Sequence, residues 1–294
     1  CGTIVHMKTL RETVLDARGR KVAVGHFNIS NIEGLWAIYQ GAKTLGVPVI
    51  VGVSEGERDF LGARQAVLLV KSVREQYDYP IYINADHTYS FERVKEAADL
   101  GYDAAIFDGA KSSFEENVTA AKRCVEYARS VNPDMLIEAE LGYIGQSSKI
   151  LDAAPEGAAL KESELTTVEE AQKFVRETGI DFFSPAIGSI HGMLRLTNDP
   201  DLNIDRIKEI SSAVSTPLVL HGASGLREEN VRDAIAAGIS IVHINTELRV
   251  AYRDATKLSL QENSDEVAPY KIMKPAVAAM QRLVEAKLRF FNNL

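Results

Sequence analysis

Cysteine is scarce, with two in 294 residues, at positions 1 and 124. Two cannot build the bridge framework of a small secreted domain, and a chain of this length does not need one. Cys124 lies in KRCVEYA on a helical pattern and reads as a small buried hydrophobe. With no pair to count, a reducing, cytoplasmic setting is expected. Long apolar runs are missing too: none reaches the roughly 20 residues that a membrane-spanning helix needs. Positive charge is in deficit, because 33 Lys and Arg against 41 Asp and Glu leave a net charge of −8. No nucleic-acid partner is expected, although a local basic pocket for phosphate is compatible with that balance. No Gly-x-Gly-x-x-Gly follows the first strand-like run, so an open dinucleotide-binding sheet has no support. The leading CGTIVH lacks a basic stretch followed by an apolar one, so it does not read as a signal peptide. Met7 reads as a natural start, with Cys1–His6 an appendage without function and 7–294 one domain.

What the chain has is alternation. MKTLRETVLDARGR at 7–20 has the character of a leading helix. Eight short apolar runs then alternate with helical patterns: Val22–Asn28, Val47–Ser54, Pro80–Ala85, Asp103–Phe107, Met135–Glu140, Asp181–Ile187, Pro217–Leu220 and Ile239–Ile244. Their apolar character suits a parallel sheet covered on both faces. Eight such units in a chain of this length predict an α/β fold, a (β/α)8 TIM barrel with an extra N-terminal helix and a C-terminal helix over Lys274–Phe290. Two connections, 142–164 and 188–203, exceed the usual few residues and read as functional loops or lids.

In such a barrel the chemistry sits at the C-terminal ends of the strands. The runs end in Asn28, Ser54, Asp86-His87 and Asp108-Gly109; the fifth carries Glu138 and Glu140. His191 follows the sixth with Gly188-Ser189, His221-Gly-Ala-Ser-Gly ends the seventh, and His243-Ile244-Asn245 the eighth. The opposite ends are mostly Gly, Pro or Asp. His87, His191 and His221 on one rim suit a zinc site with a position left open for substrate. Asp108 and Glu140 suit a second cation position or the support of those ligands. A plainer reading makes Asp86 the cap of the next helix and the histidines unrelated. The Gly-rich turns at Gly188 and Gly222–Gly225, with the Ser224 hydroxyl and with Arg195 and Arg249 near in sequence, suit a phosphorylated substrate.

These residues, taken together, resemble the class II, metal-dependent fructose-bisphosphate aldolases and the wider ketose-bisphosphate aldolase family. The likeness runs from about Met7 to Arg249: VGHFNISN at 24–31, VSEGERDF at 53–60, ADHTYSFERVKEAADLGYDAAIFDGA at 85–110, FEENV at 114–118, EAELGYIG at 138–145, AIGSIHG at 186–192, PLVLHGASG at 217–225 and INTELR at 244–249. The resemblance implies His87, His191 and His221 as ligands of Zn²⁺ or another divalent cation. It implies Asp86 as the proton-transfer group, and Asp108 and Glu140 as holders of a second or displaced cation. Gly188, Gly222 and Ser224 match the phosphate loop, where a monovalent cation, Na⁺ or K⁺, often sits. Asn28, Ser54 and Asn245 match substrate-contacting positions. Arg249 matches an arginine that reaches a phosphate, in related enzymes across a subunit interface, which implies a homodimer or homotetramer. The implied reaction cleaves a phosphorylated ketose, fructose-1,6-bisphosphate or a close relative, to dihydroxyacetone phosphate and an aldehyde. No lysine falls at a strand end, so Schiff-base chemistry is not needed.

The chain also departs from the family pattern. Thr88-Tyr89 stands where a Gly usually follows Asp-His, and His243-Ile244-Asn245-Thr246 stands for the usual Asn-x-Asp-Thr. Gln146-Ser147-Ser148 occupies the place of an acidic loop whose glutamate moves a proton, leaving Asp152, Glu156, Glu162 and Glu164 as substitutes. His26 in GHFN is also unusual. These departures leave two further readings: a family member acting on a tagatose, deoxy-sugar or inositol-catabolite phosphate, and a non-catalytic barrel that binds metal or phosphosugar.

Overall fold

A computed structural model describes residues 7–146, 149–196 and 199–294. Cys1–His6, Ser147 and Ser148 lie outside the described residues, and with them the reading of the leading segment and part of the acidic-loop comparison. In chain order the helices and strands are α1 (Leu10–Arg20), β1 (Val24–Asn28), α2 (Ile32–Leu45), β2 (Val49–Val53), α3 (Glu55–Leu61), α4 (Ala63–Tyr77), β3 (Ile81–Thr88), α5 (Phe91–Leu100), β4 (Ala104–Phe107), α6 (Phe114–Val131), β5 (Leu136–Leu141), β6 (Ile150–Leu151), α7 (Val168–Thr178), β7 (Phe182–Pro185), β8 (Met193–Leu194), α8 (Ile204–Ala213), β9 (Leu218–Leu220), α9 (Glu228–Ala237), β10 (Ile239–Ile244), α10 (Thr246–Glu262) and α11 (Pro269–Phe291).

Eight of these strands close a parallel barrel in the order β1, β10, β9, β7, β5, β4, β3, β2. The helices start where their caps predict: Asn31, Ser90, Ser113 and Thr167 each accept a backbone N–H of the first turn. The capping residue before α5 is Ser90, not Asp86. That removes the plainer reading of Asp86 as a helix cap. The C-terminal helix begins at Pro269, earlier than the expected Lys274, and runs through Pro275. The proline forfeits one intrahelical bond, while Ala276, Met280, Val284, Leu288 and Phe291 on one face are buried, so packing outweighs the loss.

Alternation along each strand sorts the barrel interior into layers, because residues two apart face the same side. Val24, Ile50, Tyr82, Ala104, Leu136, Phe182, Val219 and Ile241 form one buried cluster, one residue from each barrel strand. Leu10, Val14 and Ala17 of α1 join it and close the N-terminal end. Two residues further along come His26, Gly52, Asn84, Ile106, Glu138, Ser184, His221 and His243, and two further still Asn28, Ser54, Asp86, Asp108, Glu140 and Asn245. The interior therefore changes from hydrocarbon to hydrogen-bonding groups within one pleat.

The two long connections meet over the C-terminal end. β6 and β8 pair in parallel, Ile150 with Met193 and Leu151 with Leu194. The His191 N–H donates to the Ile144 carbonyl at 2.8 Å, so the first long connection fixes the backbone of a candidate ligand carried by the second.

Candidate active site

Asp86 and His87 are adjacent, and a regular strand would send them to opposite faces. Both reach the barrel interior because β3 is irregular between them and Thr88. The β3–β4 pairing shifts register between Ala85 and Thr88, and His87 has φ +37°. Such a bulge re-aims a side chain at a local cost in backbone strain. Arg58, buried on α3, holds the irregularity from behind. Its guanidinium donates to the carbonyls of Val53 at 2.7 Å and Asp86 at 3.2 Å, and to the Thr88 hydroxyl at 3.2 Å. Thr88, a departure from the family pattern, is thus part of the support for the bulge.

Ring nitrogens of His87, His191 and His221 lie within 4.8 Å of one another. Each ring has one nitrogen engaged on its outer side. His87 Nδ1 donates to Asp108 Oδ2 at 3.1 Å, His191 Nδ1 to the Gly145 carbonyl at 2.7 Å, and His221 Nε2 to Glu138 Oε1 at 2.7 Å. With those nitrogens engaged, His87 Nε2, His221 Nδ1 and His191 Nε2 are the ones left to face a cation. The first two face each other at 3.2 Å. Imidazoles oriented by carboxylates and a carbonyl are the arrangement that holds a divalent cation. The donor set therefore fits such an ion.

The electrostatics are those of a buried mixture of acids and imidazoles. Burial pushes His191 and His221 down to about 3, aided by His87. Burial would depress His87 likewise, but the facing carboxylates of Asp86, Glu140 and Asp108 hold it well above its ordinary value. For Asp86, burial is outweighed by His87, His26, His221 and the Asn28 amide, which keep the carboxyl below its usual range. Burial raises Glu138 and Glu140 well above theirs. A divalent cation on the three imidazoles would favour their ionised forms.

Asp86 Oδ2 accepts from Asn28 Nδ2 at 2.8 Å, whereas Oδ1 is buried without a hydrogen-bond partner among the described residues. Two adjoining hollows, about 30 and 210 Å³, open onto it. Ser54, Tyr89, Gln146, Asn245 and Arg249 line the larger one; Gly222, Ser224 and His243 line the smaller. Gly222, at φ +66°, admits no side chain, since a Cβ would lie 2.1 Å from the Ile190 carbonyl oxygen. Its backbone can therefore approach a ligand closely. Gly188 instead packs against the Asp201 carbonyl, which a Cβ would meet at 2.9 Å. Arg195 is not brought to the hollows; it pairs with Asp152 at 2.7 Å on the exterior. Two further acids weighed as substitutes for the loop glutamate are engaged elsewhere, Glu162 with Arg206 and Glu164 with Lys161.

A family profile described as class-II fructose-bisphosphate aldolase matches residues 8–294. The chain belongs to the class-II fructose-bisphosphate aldolase family. It is therefore a lyase of a metal-dependent family that acts on phosphorylated sugars. A fructose-bisphosphate aldolase of Staphylococcus epidermidis is 34% identical over 287 residues, covering 97% of this chain and 96% of that protein. The aldolase of Geobacillus stearothermophilus shows 34% identity over 288 residues, with the same shares covered. Among solved structures, the YdjI aldolase of Escherichia coli K12 superposes with a TM-score of 0.81 at 28% identity, covering 97% of each chain. A Coccidioides immitis protein described as a putative fructose-1,6-biphosphate aldolase gives 0.79 at 26% identity, covering 95% of this chain and 94% of that one. No helix among the described residues is long and apolar enough to cross a membrane.

Several residues of this aldolase site were not assigned a role from sequence. Glu57 is buried and accepts from Asn28 Nδ2 at 2.8 Å, from the Ser54 backbone N–H at 2.8 Å and from its hydroxyl at 2.9 Å. It also pairs with Arg249 at 2.5 Å. Ser54-Glu55-Gly56-Glu57 carries the Ser-x-x-Glu signature of a capping box, which would have located it. Arg58 and Asn84 have no such local sign. Arg58 reaches Asp86 and Thr88 on β3, and Asn84 reaches His26 on β1, both distant in sequence.

Proposed function

We propose that the protein is a zinc-dependent aldolase that cleaves a phosphorylated ketose, fructose-1,6-bisphosphate or a close relative, to dihydroxyacetone phosphate and an aldehyde. The observation that carries this reading is the convergence of three bare imidazole nitrogens beside the unpartnered Oδ1 of Asp86. His87, His191 and His221 hold the ion, with Asp108 and Glu140 as positions for a second or displaced one. When bound, the cation lends Lewis-acid stabilisation to negative charge on the substrate ketone.

The protein supplies proton transfer and orientation. Asp86 takes the proton from the hydroxyl of the carbon that becomes the aldehyde. The C–C bond breaks, and its electron pair passes to the ketone half as an enediolate; a proton from solvent on the carbon that lost the bond completes dihydroxyacetone phosphate, and Asp86 gives up its proton to water. In condensation Asp86 returns the proton. Asn28 fixes the base by its amide; Ser54 and Asn245 line the path of the carbon chain. Gly188, Gly222 and Ser224 serve the phosphate, with Na⁺ or K⁺ beside it. Arg249, steered by Glu57, meets the far end of the substrate. A cytoplasmic homodimer or homotetramer fits this role.

A second reading keeps the chemistry and changes the sugar. Tyr89 and His243 border the hollows at positions where the family pattern differs, which favours a relative such as a tagatose, deoxy-sugar or inositol-catabolite phosphate. The test is dihydroxyacetone phosphate release by the zinc-loaded protein from a panel of ketose phosphates. Release is expected from at least one of them. Preference for fructose-1,6-bisphosphate removes the second reading. Intact ligand binding with no turnover on any sugar would instead indicate a non-catalytic barrel.

A further inference from the structure

His26 and His243 form a stacked pair at the centre of the barrel. They are register partners on β1 and β10, and their rings lie 3.5 Å apart at 6°. Both are buried, at 0% and 7% exposure. His26 Nε2 faces the Asn84 amide at 3.1 Å, which anchors that ring. Space for it exists because position 52 is glycine: a Cβ there would lie 2.1 Å from His26 Cε1. His243 is sandwiched, with the His221 ring on its other side at 4.0 Å and 31°. Its rotation about χ1 and χ2 is therefore blocked from both faces.

That fixed ring presents Nδ1 to the catalytic carboxylate, 3.7 Å from Asp86 Oδ1. Among the described residues Oδ1 has no hydrogen-bond partner, and the next imidazole nitrogen, His87 Nε2, is 3.9 Å away. With a cation held by the three imidazoles, His87 Nε2 would be a ligand and would bring no hydrogen to Oδ1. His243 Nδ1–H is the remaining donor, and a small tilt of the carboxylate brings it within hydrogen-bond range. We infer that His243 is a positioning residue for Asp86, donating from Nδ1 to Oδ1 while Asn28 donates to Oδ2, and that His26 holds the donor in place by stacking. With a donor on each oxygen, the carboxylate cannot rotate, and one lone pair of Oδ1 stays directed at the substrate hydroxyl.

The covalent geometry of the side chain makes this specific. Nδ1 of histidine and the side-chain amide nitrogen of asparagine both bond directly to Cγ. Asparagine at 243 thus offers an N–H at nearly the same point, whereas leucine or phenylalanine offers none. This inference rests on the role proposed for Asp86, and its test separates the two.

Zinc content, kcat and KM are measured for the intact protein and for His243→Asn, His243→Phe and His26→Ala. His243→Phe keeps a ring in the stack, so it is expected to bind zinc normally, with kcat down 10- to 100-fold and KM within about threefold. His243→Asn is expected to recover most of kcat, and His26→Ala to lose several-fold. Equal activity of the Asn and Phe variants would overturn the inference, as would loss of zinc in both. Independently of turnover, ¹⁵N-histidine NMR of the unmutated protein is expected to show His243 with the proton on Nδ1; a proton on Nε2 alone would also overturn it. If the unmutated protein cleaves no sugar, the proposed function fails, and the NMR result still decides the position of the donor.

Discussion

The two ends of the barrel are built from the same eight strands and differ completely in chemistry. At the N-terminal end one side chain from each strand joins α1 in a hydrocarbon plug. One pleat higher the interior holds His26, Asn84, Glu138, His221 and His243, all buried. The lower end gains from burial at about 25 cal/mol per Å², and its one polar group, the Tyr82 hydroxyl, is satisfied by the Lys8 carbonyl and the Thr13 hydroxyl. The upper end stays folded only because each buried polar group finds a specific neighbour, and it leaves a few atoms, such as Asp86 Oδ1 and Glu140 Oε1, without one. Stability is concentrated where the side chains are interchangeable, and chemistry where they are not.

Three changes break or sharpen that contrast. The largest effect is expected from Asp86→Asn, which leaves the imidazoles intact. Cleavage should fall by about 10³ with zinc content unchanged, as read by steady-state kinetics and metal analysis. Near-normal cleavage would remove Asp86 from the reaction. Phe182→Ala in the lower plug should do the reverse. It should cost about 3–5 kcal/mol in denaturant unfolding while the activity per folded molecule stays near normal. A large drop in that activity would mean that the two ends are coupled.

The smallest effect concerns pH and the metal-free protein. Burial holds His26 at about 4 and His221 at about 3, below the unfolded value near 6.5. His191 is also held at about 3, and His243 is depressed well below its ordinary value. The unfolded chain therefore binds protons first on acidification, and stability falls as pH drops below about 6.5 toward the folded values. Glu138 and Glu140, raised by burial, and His87, raised by its facing carboxylates, act in the opposite sense. Four depressed imidazoles outnumber the three raised groups, so a net fall in stability is expected between pH 6.5 and 5.5. Urea midpoints at pH 6.5 and 5.5 measure it; an unchanged midpoint would contradict the buried, neutral state of these rings.

Much of the fold was legible because strand and helix patterns are local. Ile239–Ile244 matches β10 to the residue, and Asp103–Phe107 and Pro217–Leu220 each start one residue before β4 and β9 and end with them. Boundaries failed where tertiary contacts outweighed local preference. β3 runs past Ala85 to Thr88 because the Thr88–Phe107 pairing and the Arg58 guanidinium support it. The short α3 was missed between two stronger signals, and the β6–β8 pair is too brief to leave a periodic trace.

The sequence by itself determined the alternation of runs and helices, the end of each strand that carries polar residues, and the family whose motifs those ends spell. Only the tertiary structure decided that Asp86 and His87 face the same cavity, since that depends on one bulge and one positive φ. It also decided that Asp108, Gly145 and Glu138 each orient a different imidazole, and that His26 lies flat on His243. The reason is range. Periodicity and capping act over a few residues, whereas these contacts join positions from 21 to more than 200 apart along the chain, and barrel closure alone sets their distances.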